Sequence, residues 1–330
     1  MTSTTAPVRT DLPDEPEEPS IGPSTLRRLA AAWPRRATVR TDIASVRGEE
    51  AYDPELPDYP RHLLPFAEHP GFLAASEEQQ QQVNTLGWLA YNERVIAAEE
   101  HVANPTFVML AHGRFPGLDS FDAKEAVQQS HVDEVWHTYM HMLAVRRTRE
   151  ARGITGEPEY VHPVTNRILY RLCAEAEEQW QRDLLFLLWT AVGEISVSTY
   201  LDLLARDRTI QPLHAHINHL HARDEAAHGP VLFELMKQIF PRLERRERDY
   251  LVRMLPDAVL AFGAEDYELW PQVLRASGIA DAAGIIADTR AAPGNELLVT
   301  DFSGVARLCR ELGIEDRVEF DFTTLTGTRS

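Results

Sequence analysis

The sequence predicts an all-α protein built on a four-helix bundle, with extra helices before and after it. Three observations predict this. Four long stretches carry apolar residues at spacings of three and four, helix start and stop signals bracket them, and no alternating strand pattern of useful length precedes residues 317–322.

Taken in order, residues 1–20 are rich in Pro, Asp and Glu and cannot bury enough apolar surface to offset ordering entropy, so they read as a disordered arm. Pro23 and Ser24 open a short helix marked by Leu26, Leu29 and Ala30, and the Pro-punctuated residues 54–70 read as loop. Ser76 and Gln79 form a capping-box pattern. The first long helix runs from there through Trp88, Val95 and Ile96 to Asn104-Pro105, roughly 28 residues or about 42 Å. The second starts at Asp119 or Ser120 and runs to about Glu150, closed by Gly153, and the third covers 177–207. The fourth begins at Pro212, a favoured first helical position, and continues past Gly229-Pro230, where a kink is expected. Shorter helical patterns follow at 244–262, 266–275, 278–290 and 300–312. The whole reads as one domain over 21–323 with a tail at 324–330.

At 330 residues and 44% hydrophobic content the chain can bury a substantial core. Its 33 basic and 51 acidic residues give a net charge of −18, which repels phosphate backbones and anionic lipid heads, so nucleic acid and membrane partners are not expected. No run reaches the ~18 apolar residues of a membrane span, and the N-terminus lacks the basic and apolar regions of a signal peptide. Cys173 and Cys309 are too few for a disulfide framework and read as buried small apolar residues. A cytoplasmic location is expected.

The chemistry lies in residues that interrupt the apolar stripes. On the second helix Ala123, Ala126, Val127, Ser130, Glu134, His137, His141 and Ala144 share one face. On the fourth, Ile217, His221, Glu225, His228, Leu232 and Leu235 do the same. The first helix adds Glu99, on a face with Asn92, Val95 and Ile96, and is preferred over Glu100 for that reason. The third adds Glu194, on a face with Leu187, Ala191, Ser198 and Leu201. Burying unpaired carboxylates costs several kcal/mol, so these interruptions need a common explanation. The chain contains Glu followed by Glu-x-x-His twice, at separations of 35 and 31 residues, which matches the template of carboxylate-bridged di-iron or di-manganese bundles. Oxygen-rich ligation with some imidazole suits iron or manganese better than zinc. Asp133 and Asp224, each just before a Glu-x-x-His glutamate, are positioned to accept the second ring N–H of a histidine ligand. His221, four residues before Glu225, has Ser130 as its counterpart and gives one metal an additional imidazole. His141 lacks a counterpart, and His101, His112, His162, His214, His216 and His219 read as structural or solvent-facing.

At these residues the chain resembles the non-haem di-iron arylamine N-oxygenase family, typified by the p-aminobenzoate N-oxygenase of aureothin biosynthesis. The matching segments include Trp33-Pro34-Arg35-Arg36, residues 65–70, residues 91–96, residues 115–117, residues 137–143, Arg223 to Gly229 and residues 301–304, so the likeness spans roughly 22–322. The resemblance implies a ferritin-like bundle, usually dimeric, with ligands at Glu99, Glu134, His137, Glu194, His221, Glu225 and His228. It implies two iron ions, O2 held as a peroxo species, and electrons from a reductase or chemical reductant. The implied reaction takes an aryl amine to hydroxylamine, nitroso or nitro products. Tyr91, Val95, Ser198, Tyr200 and Thr300 are the implied pocket residues. Ser198 and Thr300 stand where the family prototype anchors a substrate carboxylate with a larger amide and an arginine, so an amine with a longer para substituent is expected. A C–H hydroxylase or desaturase of the same metal class, and a ferritin-like ferroxidase, are the alternatives.

Overall fold

The computed structural model describes residues 24–40, 52–155, 161–292, 298 and 300–322. The expected arm at 1–20 and tail at 324–330 lie outside them. Helix α1 (Thr25–Arg36) starts where expected, with the Ser24 hydroxyl accepting the Arg27 N–H and Leu26 and Ala30 buried. Residues 54–70 are loop apart from a short 3-10 turn at Arg61–Leu63, and α2 (Pro70–Leu73) follows. The Ser76/Gln79 capping box is formed and opens α3 (Glu77–Ala98).

The first long helix does not stop at Asn104-Pro105. Glu99–Ala103 form a π-turn, in which the Asn104 N–H reaches back five residues to the Glu99 carbonyl, and α4 (Asn104–Ala111) continues beyond it. Pro105 has no N–H to give and its ring would crowd the carbonyl four residues back. The wider turn absorbs both problems and allows the rod to pass through a proline.

Helix α5 (Phe121–Arg152) is capped by Ser120 and ends at Gly153, whose φ of 64° is the left-handed conformation that glycine adopts without penalty. A helix absent from the sequence reading, α6 (Val164–Glu175), lies in the crossover. The expected third helix is two pieces, α7 (Gln179–Ser196) and α8 (Ser198–Arg206), because the backbone turns at Val197. Helix α9 (Pro212–Ile239) passes Pro230 without a break. The C-terminal helices are α10 (Arg245–Gly263), offset by one residue from its sequence pattern, and α11 (Trp270–Ala276), α12 (Ala282–Ala291) and α13 (Ser303–Glu311), which start three or four residues later than theirs. Residues 317–322 form no strand.

The bundle is ferritin-like. Its first rod is α3 with α4, its second α5, its third α7 with α8 and its fourth α9. Short connections join rods one to two and three to four, and the crossover through α6 joins two to three. The stretch Gln179–Arg206 is apolar enough by composition to cross a membrane, but most of it is packed inside the bundle and it carries Glu194.

The apolar core falls into two clusters. One contains Phe107, Ala126, Leu187 and Leu232. The other contains Trp88, Met140, Leu204 and Ile217. Along α5 and α9 the break between the clusters covers the span that holds Glu134, His137, His221, Glu225 and His228. The polar groups therefore form a closed layer across the bundle rather than a wet face.

Candidate metal centre

The rods bring all seven candidate residues into that layer, and every one is buried. Three overlapping groups have ligand atoms within 4.8 Å of one another: Glu99, His137, His221 and Glu225; Glu134, His137, Glu225 and His228; and Glu99, Glu134 and Glu194. Sharing of Glu99, Glu134, Glu225 and His137 between groups is what a pair of adjacent ions requires.

The donor chemistry fits a pair of cations. Glu99 Oε2, Glu134 Oε1, Glu194 Oε2, Glu225 Oε2 and His221 Nε2 are buried with no hydrogen-bond partner among the described residues. Native interiors rarely leave such atoms unpaired without a strain or ligand to account for them. His221 Nε2 lies 3.2 Å from Glu99 and 3.3 Å from Glu225, and the Glu-x-x-His pairs approach similarly, His137 Nδ1 at 3.4 Å from Glu134 and His228 Nδ1 at 3.2 Å from Glu225. Four buried carboxylates also match the charge of two divalent ions.

The same crowding appears in the protonation equilibria. Burial, reinforced by Glu134, Glu225 and Glu194, pushes Glu99 well above the usual carboxylate range. Glu194 moves the same way through burial and the charges of Glu134 and Glu225. Burial by itself would lower His137, but its bonds to Asp224 and Glu134 push it up to about 10. His228 is likewise raised against burial by Glu225 and Glu134. Each shift expresses a demand for positive charge in the layer.

Asp133 and Asp224 support the histidines in a crossed arrangement. His228 Nε2, on α9, lies 3.1 Å from Asp133 Oδ2 on α5, while His137 Nε2, on α5, lies 3.3 Å from Asp224 Oδ2 on α9. Both imidazoles thereby turn Nδ1 toward the centre. The N-terminal segment closes this arrangement from outside. Trp33 Nε1 donates to both oxygens of Asp133 at 3.0 and 2.9 Å, Arg36 bonds Asp224 Oδ1 at 3.2 Å, and Thr38 donates its backbone N–H to Asp224. Sequence reading assigned no role to Trp33, Arg36 or Thr38. Their signal was the Trp33-Pro34-Arg35-Arg36 segment, which carried resemblance without a stated function.

Glycine sets the closest approach of α9 to α7. A Cβ on Gly229 would stand 2.9 Å from the Glu194 carbonyl oxygen, so only glycine lets the two ligand-bearing backbones meet here.

A cavity of about 130 Å³ borders the layer on the side of Glu99 and His221. Tyr91, Val95, Tyr200 and Thr300 line it, together with Tyr59 and Arg94. Ser198 is not among its lining residues. The helix is interrupted beside it at Val197, and Ser196 and Val197 line the wall. Arg94, which sequence reading passed over, gives its guanidinium to the Phe262 carbonyl at 3.1 Å and, at 3.4 Å, to the Ala264 carbonyl and Thr165 hydroxyl. Glu265 and Asp266 are also lining residues, with Glu265 accepting from Trp270 Nε1 at 2.7 Å and Asp266 paired with Arg167 at 3.0 Å.

A four-rod bundle in which Glu and Glu-x-x-His converge twice on one buried layer has the ligand pattern of carboxylate-rich dinuclear metal proteins. The model of the family described as p-aminobenzoate N-oxygenase AurF matches residues 22–313. The 4-aminobenzoate N-oxygenase of Streptomyces thioluteus is 48% identical over 307 residues, 93% of this chain and 91% of that protein. The chain belongs to the p-aminobenzoate N-oxygenase family.

Proposed function

We propose that the chain is an O2-dependent N-oxygenase that oxidises an aryl amine to the hydroxylamine, nitroso or nitro level, with two iron ions held by Glu99, Glu134, His137, Glu194, His221, Glu225 and His228. The observation that carries this reading is that Glu99 and His221 belong both to the buried ligand layer and to the cavity wall. A molecule in that cavity meets the centre directly.

Bound iron, reduced by an external reductase or chemical donor, supplies the activation of O2. The chain's own residues prepare the amine. Burial and the neighbouring Tyr200 push the phenols of Tyr59 and Tyr91 well above their usual range, so both stay neutral and offer aromatic walls to an aryl ring. The Tyr91 hydroxyl donates to Asn218 at 2.5 Å, and Tyr59 and Tyr200 share a hydroxyl contact, which fixes the rings. Enclosure excludes water and holds the amine nitrogen toward the His221 side.

The cavity guanidinium of Arg94 already serves protein oxygens, and four acidic residues, Glu93, Glu99, Glu265 and Asp266, are among the lining. This supports an amine with a longer para substituent in preference to p-aminobenzoate itself. The exposed stripe of Val132, Val135, Tyr139 and Met142 on α5 supports a homodimer with a second copy seated there. Both cysteines are unpaired, which supports a cytoplasmic location. Cys309 is buried, but Cys173 is only half-buried, short of the burial expected of it.

The test is to load reduced protein with iron, add O2 and a panel of anilines, and identify the products by mass spectrometry. Oxygen gained at nitrogen is expected, with higher efficiency on para-extended amines. Oxygen gained at carbon, or assembly into large iron-filled particles, would overturn the reading.

A further inference from the structure

His141 is a fourth histidine at the centre that the seven ligands leave unexplained. It is wholly buried, as is Asn92 beside it. Its Nε2 lies 2.9 Å from His221 Nδ1 and its Nδ1 lies 2.8 Å from Asn92 Oδ1. The Asn92 amide nitrogen in turn donates to the Trp88 carbonyl at 2.7 Å.

With both imidazoles neutral, only one set of proton positions satisfies this chain. A carbonyl can only accept, so the Trp88 oxygen fixes the Asn92 NH2 on its side and turns Asn92 Oδ1 toward His141. An amide oxygen also only accepts, so the His141 proton must sit on Nδ1. His141 Nε2 is then a bare lone pair, and it requires a proton on His221 Nδ1. His221 Nε2 is left without one, and it lies 3.2 Å from Glu99 and 3.3 Å from Glu225.

We propose that His141 and Asn92 are positioning residues that fix His221 as its Nδ1–H tautomer and aim the Nε2 lone pair at the cavity-side metal. The inference rests on the metal reading above. It also separates the three imidazoles chemically. His137 and His228 are backed by aspartates, which strengthen an imidazole as a donor, whereas His221 is backed by a neutral imidazole. His221 is therefore the weakest of the three ligands, and it is the one that borders the cavity.

The test begins with the metal-free wild-type chain carrying 15N-labelled histidine. Long-range proton–nitrogen spectra should show both His141 and His221 as neutral Nδ1–H tautomers, and a His141 proton on Nε2 would overturn the proposal. Chelator competition then compares H141L with H141Q. Leucine offers no acceptor and should weaken one of the two ions by about 10–100-fold. Glutamine, whose Oε1 can accept from His221 Nδ1, should restore binding to within a few-fold. Wild-type affinity for both ions in H141L would overturn the proposal, and if H141L fails to fold the tautomer measurement still decides. Wild-type protein that shows the stated tautomers yet binds no iron would refute the metal reading alone.

Discussion

Replacing Asp133 tests the crossed support most directly. Its neighbours are all donors: Trp33 Nε1 at 3.0 and 2.9 Å, His228 Nε2 at 3.1 Å, and Arg36 at 3.6 Å. In D133N the new NH2 must face another donor wherever it is placed. The least costly placement keeps the amide oxygen on His228 and turns the nitrogen toward Trp33. The His228 bond then drops from charge-assisted to neutral, a loss of about 1 kcal/mol, and the pairing with Arg36 weakens as well. Losing an outer partner of a histidine ligand costs about 10–100-fold in metal affinity, or roughly 1.4–2.7 kcal/mol. D133N should therefore lie near the lower end for one ion. D133L, which leaves the His228 and Trp33 N–H groups buried and unpaired, should lie near the upper end. Anaerobic Fe(II) titration against a chromophoric chelator reads both, with thermal unfolding of the metal-free variants as the control for folding. The crossing adds a sharper requirement, that the His228 resonances shift while those of His137, on the same helix as Asp133, stay in place. Unchanged affinity and stoichiometry in both variants, or a change confined to His137, would refute the argument.

Three further outcomes are expected. G229A should cost about 1–3 kcal/mol in urea unfolding and lower the metal content, because its methyl group meets the Glu194 carbonyl. His214 is held neutral by burial, donates its Nδ1–H to the Asp58 backbone carbonyl and bonds the Thr148 hydroxyl through Nε2, and its pKa is lowered to about 3 from 6.5. The unfolded chain takes up that proton first as pH falls below 6.5, so this group's contribution is intact above 6.5 and about 2 kcal/mol is lost by pH 5; denaturant unfolding of H214Q at pH 7 and 5 should show a correspondingly flatter dependence. V135E, at a side chain already 55% exposed, should leave the fold intact and shift sedimentation toward monomer if the α5 stripe carries the dimer.

What was legible in the sequence was local. The Glu-x-x-His pairs and the apolar residues around them obey helical spacing, so Glu134, His137, Glu225 and His228 could be placed on their faces from sequence, and the capping signals at Ser76, Ser120 and Gly153 located helix ends. What was not legible depends on tertiary contact or on a change of helical hand-off. The π-turn at Glu99 has no residue-type signature, and Pro105 pointed toward an end rather than a continuation. The interruption at Val197 falls inside an apolar pattern that carries no stop signal. The crossing of Asp133 and Asp224 needs two helices side by side, and His141 was set aside for lack of a counterpart because its partner, Asn92, comes from another rod. Helix α6 fell in a crossover that the four-stripe pattern did not cover.

The seating of Thr38 and Arg36 on Asp224 joins segments 186 and 188 residues apart. During synthesis α1 leaves the ribosome early and must wait for α9 before either contact exists. A chain ending before α9 would keep Glu99, Glu134, His137 and Glu194 but lack His221, Glu225 and His228 and the Asp224 on which the N-terminal clasp closes, so the seven-residue layer and its outer brace depend on the same helix.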